Sequence, residues 1–200
     1  VKHLFFLSDN GVASTEIFTR VMTVLEEHHV PFDLFTDIEP DPSDKTVEKA
    51  YGVYQKNKAK ALLTLGGGST IDVGKAVGIL ATNGGRIHDY EGNDKFSNPP
   101  LPIIAIPTTA GTGSEVSGSC VITDTDRGLK MSIRSAALNP AKVAILDPIA
   151  LKSLPTTVAT YAAMDAFVHA LESYVSLNAN PITDAMNLQA IELISHNIRP

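Results

Sequence analysis

The stretch Ala61-Leu-Leu-Thr-Leu-Gly-Gly-Gly-Ser-Thr-Ile-Asp-Val-Gly-Lys75 decides how the chain folds. Its apolar run, Ala61 to Leu65, is bounded by three glycines, and from Ile71 the spacing turns helical through Ala76, Ile79 and Leu80. The pattern predicts a strand, a tight turn and a helix. Gly66, Gly67 and Gly68 lack a Cβ, so the turn can take positive φ and let a ligand approach the main chain. Ser69 stands where an N-cap belongs, with Asp72 three residues on, and the first-turn N–H groups and positive helix end lie over the glycines. Such a turn suits a phosphate or pyrophosphate. An ordinary βα turn also favours Gly and Ser, and the residues leave both readings open. Two common nucleotide motifs do not match: G-x-G-x-x-G would need Gly in place of Ile71, and a P-loop would need Gly in place of Ser69 and a hydroxyl in place of Ala76.

Outward from this turn the same alternation recurs. Leu4 to Leu7 reads as a buried strand, Ser8-Asp9-Asn10-Gly11 as a turn, and Ser14-Thr15-Glu16 as the opening of a helix with Ile17, Val21, Val24 and Leu25 on one face. Pro31 to Phe35 is a second strand, and a turn at Glu39–Ser43 leads into a helix over residues 44–57. Asn83-Gly84-Gly85 ends the glycine-turn helix by supplying positive φ. Three strand–helix alternations with short connections call for a parallel sheet covered on both faces, with ligands at the carboxyl ends of its strands. Asp9 and Gly66–Ser69 lie at such ends. Asp9 can accept hydrogen bonds from a ribose diol, but it is equally a commonplace turn residue.

Further on, Asp89-Tyr-Glu-Gly92 and the neighbouring His88 read as a polar loop, and Leu101 to Pro107 as an apolar strand running into Thr108-Thr-Ala-Gly-Thr-Gly-Ser-Glu-Val116. Small and hydroxyl residues there can fold tightly around a ligand, while Thr112 and Glu115 have the form of a capping box. Residues 121–133 predict a hairpin and Lys142 to Leu146 another strand. From about residue 150 the texture changes. A helix starts at Pro155-Thr156-Thr157 and runs through Leu177, and Pro181 opens another to about Asn197. On the first of these, Asp165 and His169 are four apart and share a face, a workable half of a divalent metal site. A hydrogen bond between them at the helix surface is the other reading. The alanines and large apolar residues around the pair predict burial, which would oblige both side chains to find partners.

The 200 residues, 44% of them apolar, can bury a substantial core. Sixteen basic against twenty-two acidic residues give a formal net charge of −6 without a basic cluster, which disfavours nucleic acid and anionic membranes. One cysteine, Cys120, permits no internal disulfide, in keeping with a reducing compartment and a cytoplasmic protein. No run approaches the ~20 apolar residues of a membrane span. The chain starts at a strand without Met and stops just after a helix, so both ends read as cut from something longer.

Taken together, Gly66–Ser69 with Ile71-Asp72, Asp89–Gly92, Ala105–Val116, Val121–Asp124, Val143–Pro148, Met164–Tyr174 and Asn180–Asp184 resemble the iron-containing (group III) alcohol dehydrogenases. The resemblance implies an α/β, Rossmann-like dinucleotide-binding domain over residues 1–149 and the beginning of an all-helical metal-binding domain over 150–200. It implies NAD as cofactor, a divalent metal (Fe(II), or Zn), a small alcohol/aldehyde substrate and a homo-oligomer. Gly66, Gly67, Gly68, Ser69 and Thr70 would hold the pyrophosphate, Asp9 the adenosine ribose, and Thr108, Thr109 and Thr112 the nucleotide. Ser117, Ser119 and Lys130 would line the nicotinamide-ribose end, and Leu151 the adenosine side. Asp165 and His169 match the first two metal ligands, and no catalytic residue is implied beyond the ligands. The family's two further histidine ligands would lie downstream, and its first strand upstream. Phe167 and Val168 stand where Leu and Thr are more usual. A glycerol dehydrogenase, a hydroxyacid–oxoacid transhydrogenase, or a nucleotide-binding module without turnover are the alternative expectations.

Overall fold

The structure is a computed structural model, which describes residues 3–198. Its main sheet has five parallel strands in the order β2-β1-β3-β5-β8: β1 Leu4–Ser8, β2 Phe32–Phe35, β3 Ala61–Gly66, β5 Ile103–Pro107 and β8 Val143–Ala144. A second sheet pairs the hairpin β6 Ser119–Asp124 and β7 Leu129–Arg134 with the short β4 Gly92–Asn93. The helices are α1 Glu16–Glu27, α2 Asp44–Asn57, α3 Gly68–Asn83, α4 Thr156–Tyr174 and α5 Pro181–Asn197.

The alternation of side chains along the inner strands explains the two cores. Phe5, Leu7 and Leu62 face one way and pack with Val47, Ala50 and Tyr54 of α2 and Val73, Ala76 and Val77 of α3. Leu4, Phe6, Leu63 and Leu65 face the other way, against Leu25 and the apolar face of α1. Phe6 stacks on Phe18 there, with ring centroids 5.5 Å apart.

Contacts divide the chain into two units, Val1–Thr108 with Ser114–Ser153, and Thr109–Gly113 with Leu154–Pro200. In the second unit α4 packs on α5, which Asn180 caps by accepting the N–H groups of Ile182 and Thr183. Pro181 takes the first helical position as expected.

Several expectations need correction. The expected strand 142–146 shrinks to the two residues of β8, and α4 ends at Tyr174 rather than Leu177. No helix begins at Thr112, so the expected capping box with Glu115 has nothing to cap. The segment Asp89–Gly92 is not a polar loop: Ile87–Tyr90 is a 3₁₀ turn whose Tyr90 is buried and donates its hydroxyl to Gly84 O at 2.8 Å. Gly84 and Gly85 do take positive φ, 74° and 68°, at the end of α3.

Candidate nucleotide site

In the main sheet β1 leads to β2 on one side, while β3 lies on the other. This is a topological switch point, where an open parallel sheet leaves a crevice beyond its strand ends. Asp9 follows β1, Gly66 ends β3 and Thr108 follows β5, so three neighbouring strands deliver them to the same edge. Thr70 donates its hydroxyl to Asp9 Oδ2 at 3.3 Å, and Thr108 donates its N–H to Gly66 O at 3.0 Å. Asp9 Oδ1 also accepts the N–H of Val12 at 2.9 Å, so the carboxylate serves its turn and faces the glycine turn at once.

The turn works differently from the expectation. None of Gly66, Gly67 and Gly68 has positive φ; Gly67, the N-cap, is extended at φ −75°. Gly66 is required for close approach instead, because a Cβ there would lie 2.3 Å from Thr70 Oγ1 and 2.6 Å from Thr70 Cβ. Ser69 is already inside α3, which starts at Gly68, so it is not the N-cap. Among the described residues no side chain caps α3. Its first N–H groups and positive end are the kind of place that suits an anion.

Behind the turn, Asp72 and Lys75 take the same face of α3. Asp72 Oδ1 accepts the hydroxyl of Ser114, and Oδ2 accepts the N–H of Val121 at 2.9 Å. Lys75 is fully buried and donates to Ser117 O at 2.8 Å, Ser119 O at 2.7 Å and Ser117 Oγ at 3.2 Å. Burial pushes the lysine down from its ordinary value against the opposing pull of Asp72, and burial raises Asp72 against its hydrogen bonds and Lys75. Cys120, next in the chain, is buried; its thiol is pushed up to about 12, by burial first and the Asp72 charge second.

Thus Asp9, Gly66–Thr70, Thr108, Ser117 and Ser119 share one body with α3. Lys130 is exposed on the hairpin and pairs with Asp41 Oδ1 at 2.5 Å. Leu151 ends a 3₁₀ turn, Pro148–Leu151, beside β5. Thr109 and Thr112 fall in the other unit.

Asp165 and His169 lie on one face of α4, Oδ1 to Nε2 3.7 Å, a separation compatible with two ligands of a single ion. The expected burial is absent: Asp165 is 43% and His169 52% exposed, and Ala170 is the one buried residue of α4. Among the described residues no third acidic, histidine or cysteine donor converges on the pair.

The sequence reading missed a polar cluster elsewhere. His88 Nε2 lies 3.3 Å from Asp44 Oδ2 and 3.6 Å from Asp124 Oδ2, with both carboxylates buried. Asp124 also accepts the backbone N–H groups of Asp126 and Arg127 at 2.9 Å and the Arg127 guanidinium, which reaches on to Glu91 at 2.7 Å. These bonds, those of Arg127 foremost, hold the Asp124 carboxyl down at about 2. Thr125 donates its N–H to Asp44 Oδ1 at 3.3 Å and Thr123 its N–H to Pro42 O at 2.8 Å. With Arg127 already on Asp124, the cluster acts as a clamp of the hairpin tip onto α2.

Residues 1–148 match the family described as iron-containing alcohol dehydrogenase, and residues 158–200 match that family's C-terminal region. The chain is 38% identical over 198 residues to "Alcohol dehydrogenase 4" of Schizosaccharomyces pombe, covering 99% of this chain and 47% of the relative. It is 39% identical over 194 residues to "NAD-dependent methanol dehydrogenase" of Bacillus methanolicus, covering 97% and 51%. A solved structure of a 1,3-propanediol oxidoreductase superposes with a TM-score of 0.94 at 37% identity, over 98% of this chain and 51% of that one. The chain therefore spans about half the length of the curated relatives it matches.

Proposed function

Since the chain belongs to the iron-containing alcohol dehydrogenase family, we propose that it is the nucleotide-binding part of a metal-dependent, NAD(H)-linked alcohol dehydrogenase. The observation that carries this is the uncapped start of α3 at the sheet's switch point, joined to Asp9 through Thr70. Residues 1–149 form the dinucleotide domain in this reading, and residues 150–200 open the metal-binding one.

In this reading the backbone of Gly66–Thr70 receives the pyrophosphate, where free N–H groups and the helix dipole favour negative charge without a counter-ion. The Asp9 carboxylate accepts the hydroxyls of the adenosine ribose, and repels a 2′-phosphate, which selects NAD over NADP. Thr108, Thr109 and Thr112 position the nucleotide; Ser117, Ser119 and Lys130 meet its nicotinamide-ribose end, and Leu151 its adenosine side. Asp165 and His169 supply one carboxylate and one imidazole to a divalent ion, a donor set that suits Fe(II) and Zn(II) alike. A nicotinamide dinucleotide held by Gly66–Thr70 and Asp9 would supply hydride-transfer chemistry, and an ion held by Asp165 and His169 would supply Lewis-acid chemistry. The substrate class, a small primary alcohol or diol and its aldehyde, follows the names of the relatives.

A second reading, a nucleotide-binding module without turnover, is favoured by the two-donor metal half-site. Fluorescence titration of NADH with and without Fe(II) or Zn(II), followed by an alcohol oxidation assay, separates the two. Saturable binding that Gly67→Asp abolishes, with turnover, supports the dehydrogenase; binding without turnover supports the module. Absence of NADH binding overturns both. Turnover without free NAD would indicate a transhydrogenase, and a preference for glycerol a glycerol dehydrogenase. An unchanged NAD/NADP preference in Asp9→Gly would remove the role given to Asp9.

A further inference from the structure

Lys75 is a fully buried cation, and no step of nucleotide binding above uses it. It lies on the third turn of α3, the helix whose first turn closes the glycine turn. Helical side chains lean toward the N-terminus, so the lysine stem runs back in the direction of that turn.

Its two nearest acceptors are main-chain oxygens of one short segment. The carbonyls of Ser117 and Ser119 are 2.8 and 2.7 Å from the same nitrogen. Two acceptors on one nitrogen lie at most about 5.5 Å apart, less than the roughly 6.7 Å between alternate residues of a strand. The segment is therefore bent around the ammonium rather than extended past it. Ser117 Oγ and, at 3.5 Å, Ser114 Oγ complete the ring. Asp72 grips both sides of the bend through Ser114 and the N–H of Val121.

The far side of the bend is closed as well. A Cβ on Gly118 would come within 2.7 Å of Ala136 Cα and 2.8 Å of Ser135 O. Gly118 O accepts the N–H of Ser135 at 2.9 Å and Asn139 Nδ2 at 3.3 Å. The lysine comes from the helix that carries the glycine turn and reaches the inside of the curve. A neutral side chain of the same length would take the lysine donor from both part-buried carbonyls, leaving Ser119 O with the Ser117 hydroxyl at 3.3 Å.

From this geometry we infer that Lys75 is a positioning residue: its ammonium locks the Ser117–Ser119 bend to α3, so that the nicotinamide-ribose end of the cofactor site keeps a fixed distance from the pyrophosphate end. The inference rests on the nucleotide reading above. A lysine that merely stabilised the fold would affect every ligand alike, whereas this one matters only to ligands long enough to reach the bend.

The test is the affinity of the purified protein for NADH and for ADP, which ends at the pyrophosphate, in wild type and Lys75→Met. Circular dichroism and the unfolding midpoint verify that the variant is folded at the assay temperature. Lys75→Met should weaken NADH about tenfold, the effect of one lost charge-assisted contact, and leave ADP within about twofold. Equal losses for both ligands, or none, overturn the inference and leave the nucleotide reading standing. A wild type that binds neither ligand overturns both. If Lys75→Met does not fold, Asp72→Asn is measured in the same way, because it keeps the lysine and loosens only the outer grip. A smaller NADH-selective loss, about threefold, is expected there, and an equal effect on ADP overturns the inference.

Discussion

Helices α3 and α4 are both long and both largely apolar, yet ten of the sixteen residues of α3 are buried and one of the nineteen in α4. α3 packs on β3 and β5 and on the hairpin strand β6, so its apolar residues are covered around most of its circumference. α4 packs on α5, and Tyr161, Met164, Val168 and Leu171 remain exposed. Apolar composition states how much cover a helix requires, whereas burial records how much its own unit supplies. The difference reaches the polar residues. Asp72 and Lys75 on α3 are held by two or more hydrogen bonds each, while Asp165 and His169 on α4 are about half exposed and lie 3.7 Å from each other.

The contrast can be broken by substitutions on both helices. Ile79→Ala, at a position with no exposed surface, should lower unfolding free energy by about 3 kcal/mol in urea titration, the usual cost of a large-to-small change in a packed core. A loss below about 1 kcal/mol would mean that α3 is less well packed than its burial indicates. Gly66→Ala should cost about 2 kcal/mol, because its Cβ displaces Thr70, and should weaken NADH as the Thr70–Asp9 contact is lost. A normal NADH affinity in a folded Gly66→Ala protein would separate the turn geometry from binding.

Asp124 sharpens the comparison through pH. Its folded value of about 2 lies below the ordinary 3.8, so the carboxylate's contribution is complete above pH 3.8 and is lost as pH falls toward 2. Between those limits the urea midpoint of wild type should fall more steeply than that of Asp124→Asn; parallel curves would show that the clamp does not contribute to acid sensitivity. The smallest effect belongs to α4. Leu171→Ala, 44% exposed, should change stability by no more than about 0.5 kcal/mol.

The central alternation was legible because its signals are local: an apolar run, three glycines, and helical spacing resuming at Ile71 place β3, the turn and α3 within one window. The helix start at Pro181 was legible for the same reason. What escaped depends on contacts between distant residues. Asp44, His88 and Asp124 have no shared spacing, and they meet only because the hairpin tip folds back onto the start of α2. The reason for Gly66 was misread, since its need arises from Thr70 one turn later and not from its own φ. The burial expected around Asp165 failed because composition cannot say whether a covering surface is present in the same unit.

The buried thiol of Cys120 turns the Lys75 region into its own clock. It is the chain's single cysteine, it has no accessible surface, and its ionisation lies near pH 12, so a maleimide finds no reactive thiolate while β6 rests on α3. Labelling must wait for that strand to lift. The labelling half-time at neutral pH then measures how often this part of the molecule opens, without a background from any other sulfhydryl.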